Sequence, residues 1–197
     1  MKKLLILSFL ISFMVTDIQA QKMAGMDKSP MDMAYYPNNF AHDRKFAPKL
    51  IGDMPAMVRV IYSRPAKKER VVFGKLIPFG EVWRLGANES TEIKFYQDVT
   101  IQGNKIKAGT YSLFAIPNAG EWTIILNKDL DFWGAYSYNQ ANDILRVNAP
   151  VKKSEEVAEN FTIQLSKGND KEAILRMVWD TTLVELPISF GFVATEG

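Results

Sequence analysis

The sequence predicts an all-β protein, an antiparallel β-sandwich of about eight to ten short strands. Two patterns predict this fold class. Short runs rich in β-branched and aromatic residues follow one another with turn-forming residues between them, and no segment keeps the 3.6-residue apolar period of an amphipathic helix. With 47% hydrophobic and 23% charged residues among 197, the chain has the composition of one globular domain with a packed core.

The predicted strands begin after residue 56 and are separated by glycine, proline, asparagine and aspartate, the usual turn residues. Residues 161–165, Phe-Thr-Ile-Gln-Leu, alternate between apolar and polar, which is typical of a strand with one wet face. In chain order the predicted strands are 57–62, 92–96, 99–102, 110–116, 122–127, 161–165, 173–179 and 183–190. Residues 71–77 fit either a bulged strand or a turn.

Local signals define several of the connections. The Gly-Asn pair at 103–104 predicts a tight hairpin, and residues 180–182, Asp-Thr-Thr, predict a turn between the last two strands. Pro187 has no backbone N–H to donate, so the final strand is predicted at a sheet edge. The segments 139–143 and 154–159 are each predicted to be long enough for one helical turn.

Residues 1–20 have the features of a secretory signal peptide. Lys2 and Lys3 form a basic end, and residues 4–15 form an apolar core too short to span a bilayer comfortably. Ala20 offers a small residue at the cleavage point. Cleavage there would make the mature protein periplasmic or secreted, with no membrane insertion afterwards; an uncleaved anchor is the alternative.

Residues 21–56 are predicted to form an irregular tail or strap before the β-domain, residues 57–191. The segment has no sustained apolar period, and it contains four prolines and four clustered methionines, namely Pro30, Pro37, Pro48, Pro55, Met23, Met26, Met31 and Met33. Thioethers can hold Cu(I) in an oxidising compartment. Copper binding is therefore one interpretation of the cluster, and an incidental, poorly ordered tail is the other.

Charge and composition exclude several classes of function. A formal net charge of +2 gives no general attraction to nucleic acid, so no nucleic-acid partner is expected. Without cysteine there can be no disulfide, thiolate nucleophile or thiolate metal ligand. His42 is the only histidine and lies in the strap, so we expect neither a zinc site nor a Ser-His-Asp triad. No metal and no cofactor are expected.

The most unusual stretch is residues 82–89, Val-Trp-Arg-Leu-Gly-Ala-Asn-Glu. Unlike side chains with hydrogen-bonding groups crowd around one glycine there, which indicates a site. Arg84 and Glu89 would face opposite ways on an uninterrupted strand, but a turn at Gly86 can bring them together. We therefore predict that Arg84 is at least half buried and pairs with a carboxylate, first of all Glu89.

Several motifs stand in a fixed order along the chain, namely Tyr-Ser-Arg-Pro at 62–65, Pro-Phe-Gly at 78–80, residues 82–89, Ala-Gly-Thr-Tyr-Ser-Leu at 108–113 and Trp-Gly at 133–134. Together they resemble the DUF2911 family of exported bacterial proteins, common in Bacteroidetes, over about residues 45–190. The family has no established function. The resemblance therefore implies export and a β-rich domain, and it carries over no catalytic residue.

The chain departs from the family pattern at two places. Leu85 stands where the family usually has threonine, which removes a hydroxyl from the neighbourhood of Arg84. Lys-Glu-Arg at 68–70 replaces the more usual Lys-Gly-Arg.

Six residues are predicted to line a ligand site, namely Arg64, Arg84, Asn88, Glu89, Trp133 and Tyr138. Two of them belong to an aromatic connection, residues 132–139, and such loops on rigid sheets often bind ligands. Rings flanked by Arg, Asn and Glu suit a small molecule, a glycan or a peptide. The leading interpretation is a non-enzymatic periplasmic or secreted domain that binds a sugar- or peptide-like ligand.

Two other functions fit the same residues. Glu89 with Asp143, or with another carboxylate such as Glu81 or Glu92, could supply the acid–base pair of a metal-independent hydrolase or carbohydrate-active enzyme. A structural or assembly partner with no small-molecule site is the third interpretation. The distance between the carboxylates separates these functions, and the sequence leaves it open.

Overall fold

A computed structural model describes residues 25–191 of the chain. The predicted leader, residues 1–20, lies outside this range and stays a prediction. The strands are β1 Met31–Tyr36, β2 Val58–Ser63, β3 Thr91–Phe95, β4 Val99–Ile101, β5 Asn104–Ile106, β6 Gly109–Pro117, β7 Glu121–Asn127, β8 Asp143–Lys167 and β9 Glu172–Phe190. The helical elements are α1 Phe40–Phe46, α2 Pro48–Ile51 and a 3-10 turn, Gln140–Asn142. Within this range no helix has the length and apolar character needed to cross a membrane.

The nine strands form one antiparallel sheet in the order β1-β2-β3-β6-β7-β8-β9-β4-β5, which confirms the all-β class. β8 has 25 residues and β9 has 19, so both are far longer than predicted. Just beyond β2, Lys67 N donates to Glu159 O at 2.8 Å and Phe161 N donates to Pro65 O at 2.9 Å. These bonds bring the chain after β2 onto the middle of β8, so the sheet folds over on itself as in a sandwich.

The two long strands bend together at one bulged region. The turn predicted at residues 180–182 is wrong, because β9 runs through them. Asp180 takes a positive φ of 54°, and the register against β8 shifts on either side of Ala158. Extra residues on β8 are thus accommodated without ending either strand. For the same reason residues 154–159 are part of a strand and not the predicted helical turn.

The N-terminal strap is more regular than predicted. An irregular strap is wrong for residues 31–51, which form β1, α1 and α2. β1 pairs along its whole length with β2, so sheet hydrogen bonding orders a segment that has no clear apolar alternation. The prediction took Pro30 and Pro37 as signs of irregular structure, whereas these prolines flank the strand and do not interrupt it. Met31 and Met33 are exposed on β1, and copper binding there stays a prediction.

Three shorter predictions meet different outcomes. The hairpin predicted at 103–104 forms one residue earlier, with Gln102 and Gly103 at its centre and φ values of 46° and 82°, as a type I′ turn requires. Residues 140–142 form the helical turn predicted there. Pro187 is not on an edge strand, because β9 lies between β8 and β4. It falls between the part of β9 that pairs with β8 and the part that pairs with β4.

One core fills the space inside the folded sheet. Five aromatic rings lie at its centre, namely Phe73, Trp83, Trp122, Phe161 and Trp179. Trp83 contacts the other four, with ring centroids 4.9 to 5.9 Å away. The conspicuous stretch at 82–89 is therefore fixed to the core at Trp83, immediately before Arg84.

Candidate functional site

The loop that follows Trp83 is a fixed part of the domain. Trp83 exchanges two backbone hydrogen bonds with Ala115 of β6, at 2.7 and 2.9 Å. Farther along, Gly134 N donates to Asn88 O at 2.8 Å, which fastens the loop to the aromatic connection at 132–139. Side chains on this loop are therefore held by a rigid scaffold, as a binding site requires.

Gly86 and Leu85 set the direction of the loop. A Cβ on Gly86 would lie 2.9 Å from the backbone oxygen of Ser63, so only glycine fits this close to β2. Leu85 takes a positive φ of 52°, and Thr91 Oγ1 donates to its carbonyl oxygen at 2.6 Å. Its side chain is fully buried in the core, whereas Arg84, one residue earlier, lines a surface cleft.

The predicted ion pair between Arg84 and Glu89 is wrong. Glu89 is exposed and lines a different pocket, together with Asp131. Among the described residues no carboxylate forms an ion pair with Arg84. Leu85 and Asn88 both take positive φ, 52° and 59°, so the chain turns twice between the two residues and their side chains reach different pockets. Arg84 is half-buried, as predicted.

The surface cleft at Arg84, called the Arg84 cleft below, has a volume of about 370 Å³. Such a volume suits a small ligand. Its lining combines apolar side chains, one cation and one carboxylate, namely Leu76, Ile77, Pro78, Val82, Trp83, Arg84, Ala135, Tyr136 and Glu81. Tyr136 is 87% exposed, so its ring stands at the rim, where a ligand can contact it.

The charge of Arg84 is not compensated in this cleft. Its Nε atom is buried and has no hydrogen-bond partner. Burial lowers the pKa of Arg84, and the nearby Tyr136 opposes this shift, but a guanidinium stays charged at neutral pH. Arg59 Nε is also unpartnered, yet Arg59 lies within β2 and lines none of the cavities described here. A negatively charged ligand group would stabilise the desolvated cation in the Arg84 cleft.

Gly134 brings Tyr136 against Arg84. It takes a positive φ of 68°, and a Cβ there would lie 3.1 Å from the Tyr136 ring and 3.9 Å from Cδ of Arg84. A side chain at this position would strain the backbone and displace the ring. Tyr136 and Glu81 are lining residues that the sequence interpretation left out of the binding site. The aromatic character of residues 132–139 is the signal that could have included Tyr136.

Arg64 acts as a structural tie. Its Nη1 donates to Oδ2 of Asp32 at 2.9 Å, its Nη2 to Oγ1 of Thr162 at 2.8 Å and its Nε to the carbonyl of Phe161 at 3.3 Å. These bonds join β1 and β8 to the end of β2. All three nitrogens of Arg64 are therefore engaged, in contrast with those of Arg84.

Tyr138 and Trp133 lie in different surroundings. Tyr138 Oη donates to Oδ2 of Asp143 at 2.6 Å and accepts from Nη1 of Arg146 at 2.8 Å. Its ring packs edge-on against Phe114, with centroids 5.3 Å apart, whereas Trp133 is 61% exposed. The structure therefore places the predicted binding residues in separate locations. Arg64, Arg84, Glu89 and Tyr138 each lie in a different one.

The surroundings of Tyr138 have a measurable consequence. Burial, the bond to Asp143 and its negative charge raise the pKa of Tyr138 to about 12. The folded state thus disfavours the tyrosinate, so stability falls as pH rises above the unfolded-chain pKa of about 10. In an ultraviolet titration, the wild type is expected to show a tyrosinate step near pH 12. Tyr138→Phe should reduce that step by the amplitude of one tyrosine, since burial also raises the pKa of Tyr62 and of Tyr111, and an unchanged titration curve in the variant would contradict this assignment.

Asp143 is fully engaged and does not join Glu89. It accepts hydrogen bonds from Tyr138, from Nη1 of Arg146 at 2.7 Å and from Nδ2 of Asn127 at 2.8 Å. It also lies outside the pocket of about 250 Å³ that Glu89 lines. The pair of Glu89 with Asp143 therefore has no common cavity, whereas Glu92 and Asp131 line the same pocket as Glu89.

A groove of about 940 Å³, larger than the other cavities described here, lies between the α1–α2 segment and the end of β3. Its Arg44 lies over the ring of Phe40, 6.0 Å from the centroid, and no buried unpartnered polar atom lines it. This cavity is thus a broad groove, and none of its lining residues has a buried polar atom that lacks a hydrogen-bond partner. Within residues 25–191, no three His, Cys, Asp or Glu side chains are grouped so that they could hold a metal ion.

Comparisons with known proteins extend the sequence resemblance. A comparison with curated proteins finds no match, and a comparison with solved structures finds none either. Residues 51–188 match a family described as a protein of unknown function, DUF2911. The match spans more than half of the chain and includes the Arg84 cleft and the aromatic connection. The chain therefore belongs to the DUF2911 family.

Proposed function

We propose that this protein is an exported, non-enzymatic ligand-binding domain that holds the negatively charged end of a small ligand in the Arg84 cleft. Residues 1–20 support export, since they have the order of a secretory leader. The observation that carries the binding proposal is the buried, unpartnered Nε of Arg84. The mature protein would then act in the periplasm or outside the cell.

The energetic argument concerns the cost of an unpaired cation. A charge taken out of water without a partner destabilises the folded state, and burial has already lowered the pKa of Arg84. A bound carboxylate would supply two oxygens to the planar guanidinium and replace the lost solvation. A ligand carboxylate would therefore supply the negative charge and the hydrogen bonds that the described side chains do not give to Arg84.

The lining of the cleft indicates the kind of ligand. Arg84 is the one cation in the lining and Glu81 is an anion, so a singly charged carboxylate fits better than a doubly charged phosphate. Leu76 and Ile77 offer an apolar wall, and Tyr136 offers an exposed ring at the rim. A peptide-like carboxylate with an apolar body suits these surfaces better than a neutral sugar.

A thermal-shift comparison of two probes tests the proposal. The probes are 3-phenylpropionate and its uncharged analogue 3-phenylpropanamide, compared at equal ionic strength. At a concentration tenfold above Kd, a ligand that binds only the folded state stabilises it by about 1.4 kcal/mol, which raises Tm by roughly 3 to 6 °C in a domain of this size. We expect the carboxylate to raise Tm and the amide to leave it nearly unchanged.

Equal effects of the two probes would contradict anion recognition. If neither probe raised Tm even at its highest soluble concentration, a structural or assembly role, the alternative to a binding domain, would be favoured. An enzymatic role that pairs Glu89 with Asp143 has less support, because Asp143 is engaged by Tyr138, Arg146 and Asn127 and shares no cavity with Glu89.

A further inference from the structure

The Arg84 cleft contains a second charge to which the proposed function assigns no group of the ligand. Glu81 is exposed and lines the same cleft as Arg84. Among the described residues Glu81 forms no ion pair, with Arg84 or with any other cation. Two opposite charges thus lie in one cleft of about 370 Å³ without neutralising each other directly.

The backbone around Glu81 is fixed on both sides. Gly80 N donates to the carbonyl of Pro117 at 2.9 Å, and Trp83 N donates to the carbonyl of Ala115 at 2.7 Å. Both bonds attach this short segment to β6. The backbone from which the Glu81 side chain extends is therefore held in place at the edge of the cleft.

We propose that the Arg84 cleft recognises a zwitterion, specifically a free α-amino acid with an apolar side chain. This inference rests on the proposed function. Arg84 would donate hydrogen bonds to the α-carboxylate, and Glu81 would accept a hydrogen bond from the α-ammonium group. The apolar side chain would lie along Leu76 and Ile77 beside the Tyr136 ring. A ligand that carries both charges can satisfy Arg84 and Glu81 at once.

Charge complementarity excludes the simpler ligands. A dianion would be repelled by Glu81, and an amine without a carboxylate would leave Arg84 unpaired and add a second cation beside it. The contribution of Glu81 is smaller than that of Arg84, because Glu81 is exposed. From exposed ion pairs we expect the ammonium group to improve affinity by roughly two- to fivefold at low salt.

Isothermal titration calorimetry on the mature protein tests the inference with three probes. L-Phenylalanine has both charges, 3-phenylpropionate lacks the ammonium group and L-phenylalanine amide lacks the carboxylate. The wild type is expected to bind L-phenylalanine roughly two- to fivefold more tightly than 3-phenylpropionate and to bind the amide more weakly than either. In Glu81→Gln the preference for L-phenylalanine should disappear, while 3-phenylpropionate binds at least as well as before.

Glu156→Gln provides the matched control, since Glu156 is exposed on β8 and the substitution changes the net charge equally. It should keep the wild-type preference. Equal binding of L-phenylalanine and 3-phenylpropionate by the wild type would overturn the zwitterion inference and leave the proposed function standing. Absence of binding of both carboxylates would overturn the proposed function and the inference together.

Discussion

Substitution of Trp83 by alanine is expected to lower the free energy of unfolding by about 3 to 5 kcal/mol, the usual cost of removing a large buried aromatic side chain. Trp83 is 4% exposed and contacts four aromatic rings in the core. Removal of the indole would leave a cavity. The four surrounding rings come from separate segments, so they could fill it only by moving together. The backbone bonds of Trp83 with Ala115 would then no longer be supported by the core.

Urea denaturation measures this effect, and two variants calibrate it. Trp83→Phe keeps one aromatic ring in place and should cost clearly less than Trp83→Ala. Trp133→Ala removes an exposed indole and should change stability by no more than about 0.5 kcal/mol. If Trp83→Ala cost no more than Trp133→Ala, the central place of Trp83 in the core would be refuted.

Arg84→Gln is expected to weaken binding of 3-phenylpropionate by roughly 30- to 150-fold. This follows from loss of about 2 to 3 kcal/mol when a charged hydrogen-bonding partner is removed. The stability of the free protein should stay the same or rise slightly, because the substitution removes a desolvated charge that no described carboxylate pairs. A loss of binding without a loss of stability is the signature of a residue kept for its ligand.

The sign of the stability effect follows from the pKa of Arg84. Burial lowers it, so the folded protein holds the guanidinium proton less tightly than the unfolded chain does. Both pKa values lie far above neutrality, so the cost is constant across the neutral range and disappears only in strong alkali. Lys75→Gln, which removes an exposed cation next to Leu76, is the matched control and should leave both binding and stability nearly unchanged.

A large loss of stability in Arg84→Gln would contradict this account. Such a loss would mean that Arg84 supports the fold through a partner, as the predicted pair with Glu89 would have done. An unchanged affinity would instead place the anion site elsewhere.

The sequence predicted the strands that have their own local pattern. Alternation at 161–165 and the strong apolar runs at 110–116 and 122–127 correspond to parts of β8, β6 and β7. β1 has no such pattern and depends on pairing with β2, which is a tertiary interaction. The continuity of β9 through Asp180 depends on a bulge opposite β8, and local turn propensity could not reveal it.

The candidate site was predicted in part, for a comparable reason. The sequence interpretation singled out the stretch at 82–89, which contains Arg84 of the cleft, but its side-chain directions follow from a left-handed backbone at Leu85. Leucine rarely adopts that conformation, so no residue preference predicts it. Glu69 shows the contrary case. It takes a positive φ of 60° at a position where the family that the sequence resembles usually has glycine. The family pattern therefore indicates this turn, whereas the glutamate of this chain does not.

The most direct test of the account is a measurement on the Arg84 side chain itself. In a proton–nitrogen correlation NMR spectrum, the Nε–H signal of Arg84 can be assigned by its absence in Arg84→Lys. Titration with 3-phenylpropionate is expected to shift this signal progressively to saturation, with a midpoint equal to the calorimetric Kd, because a carboxylate bound to the guanidinium would change the electrostatic environment of its Nε–H. An Arg84 signal that stays unchanged while the probe saturates the protein would show that the ligand binds elsewhere and would contradict the central claim.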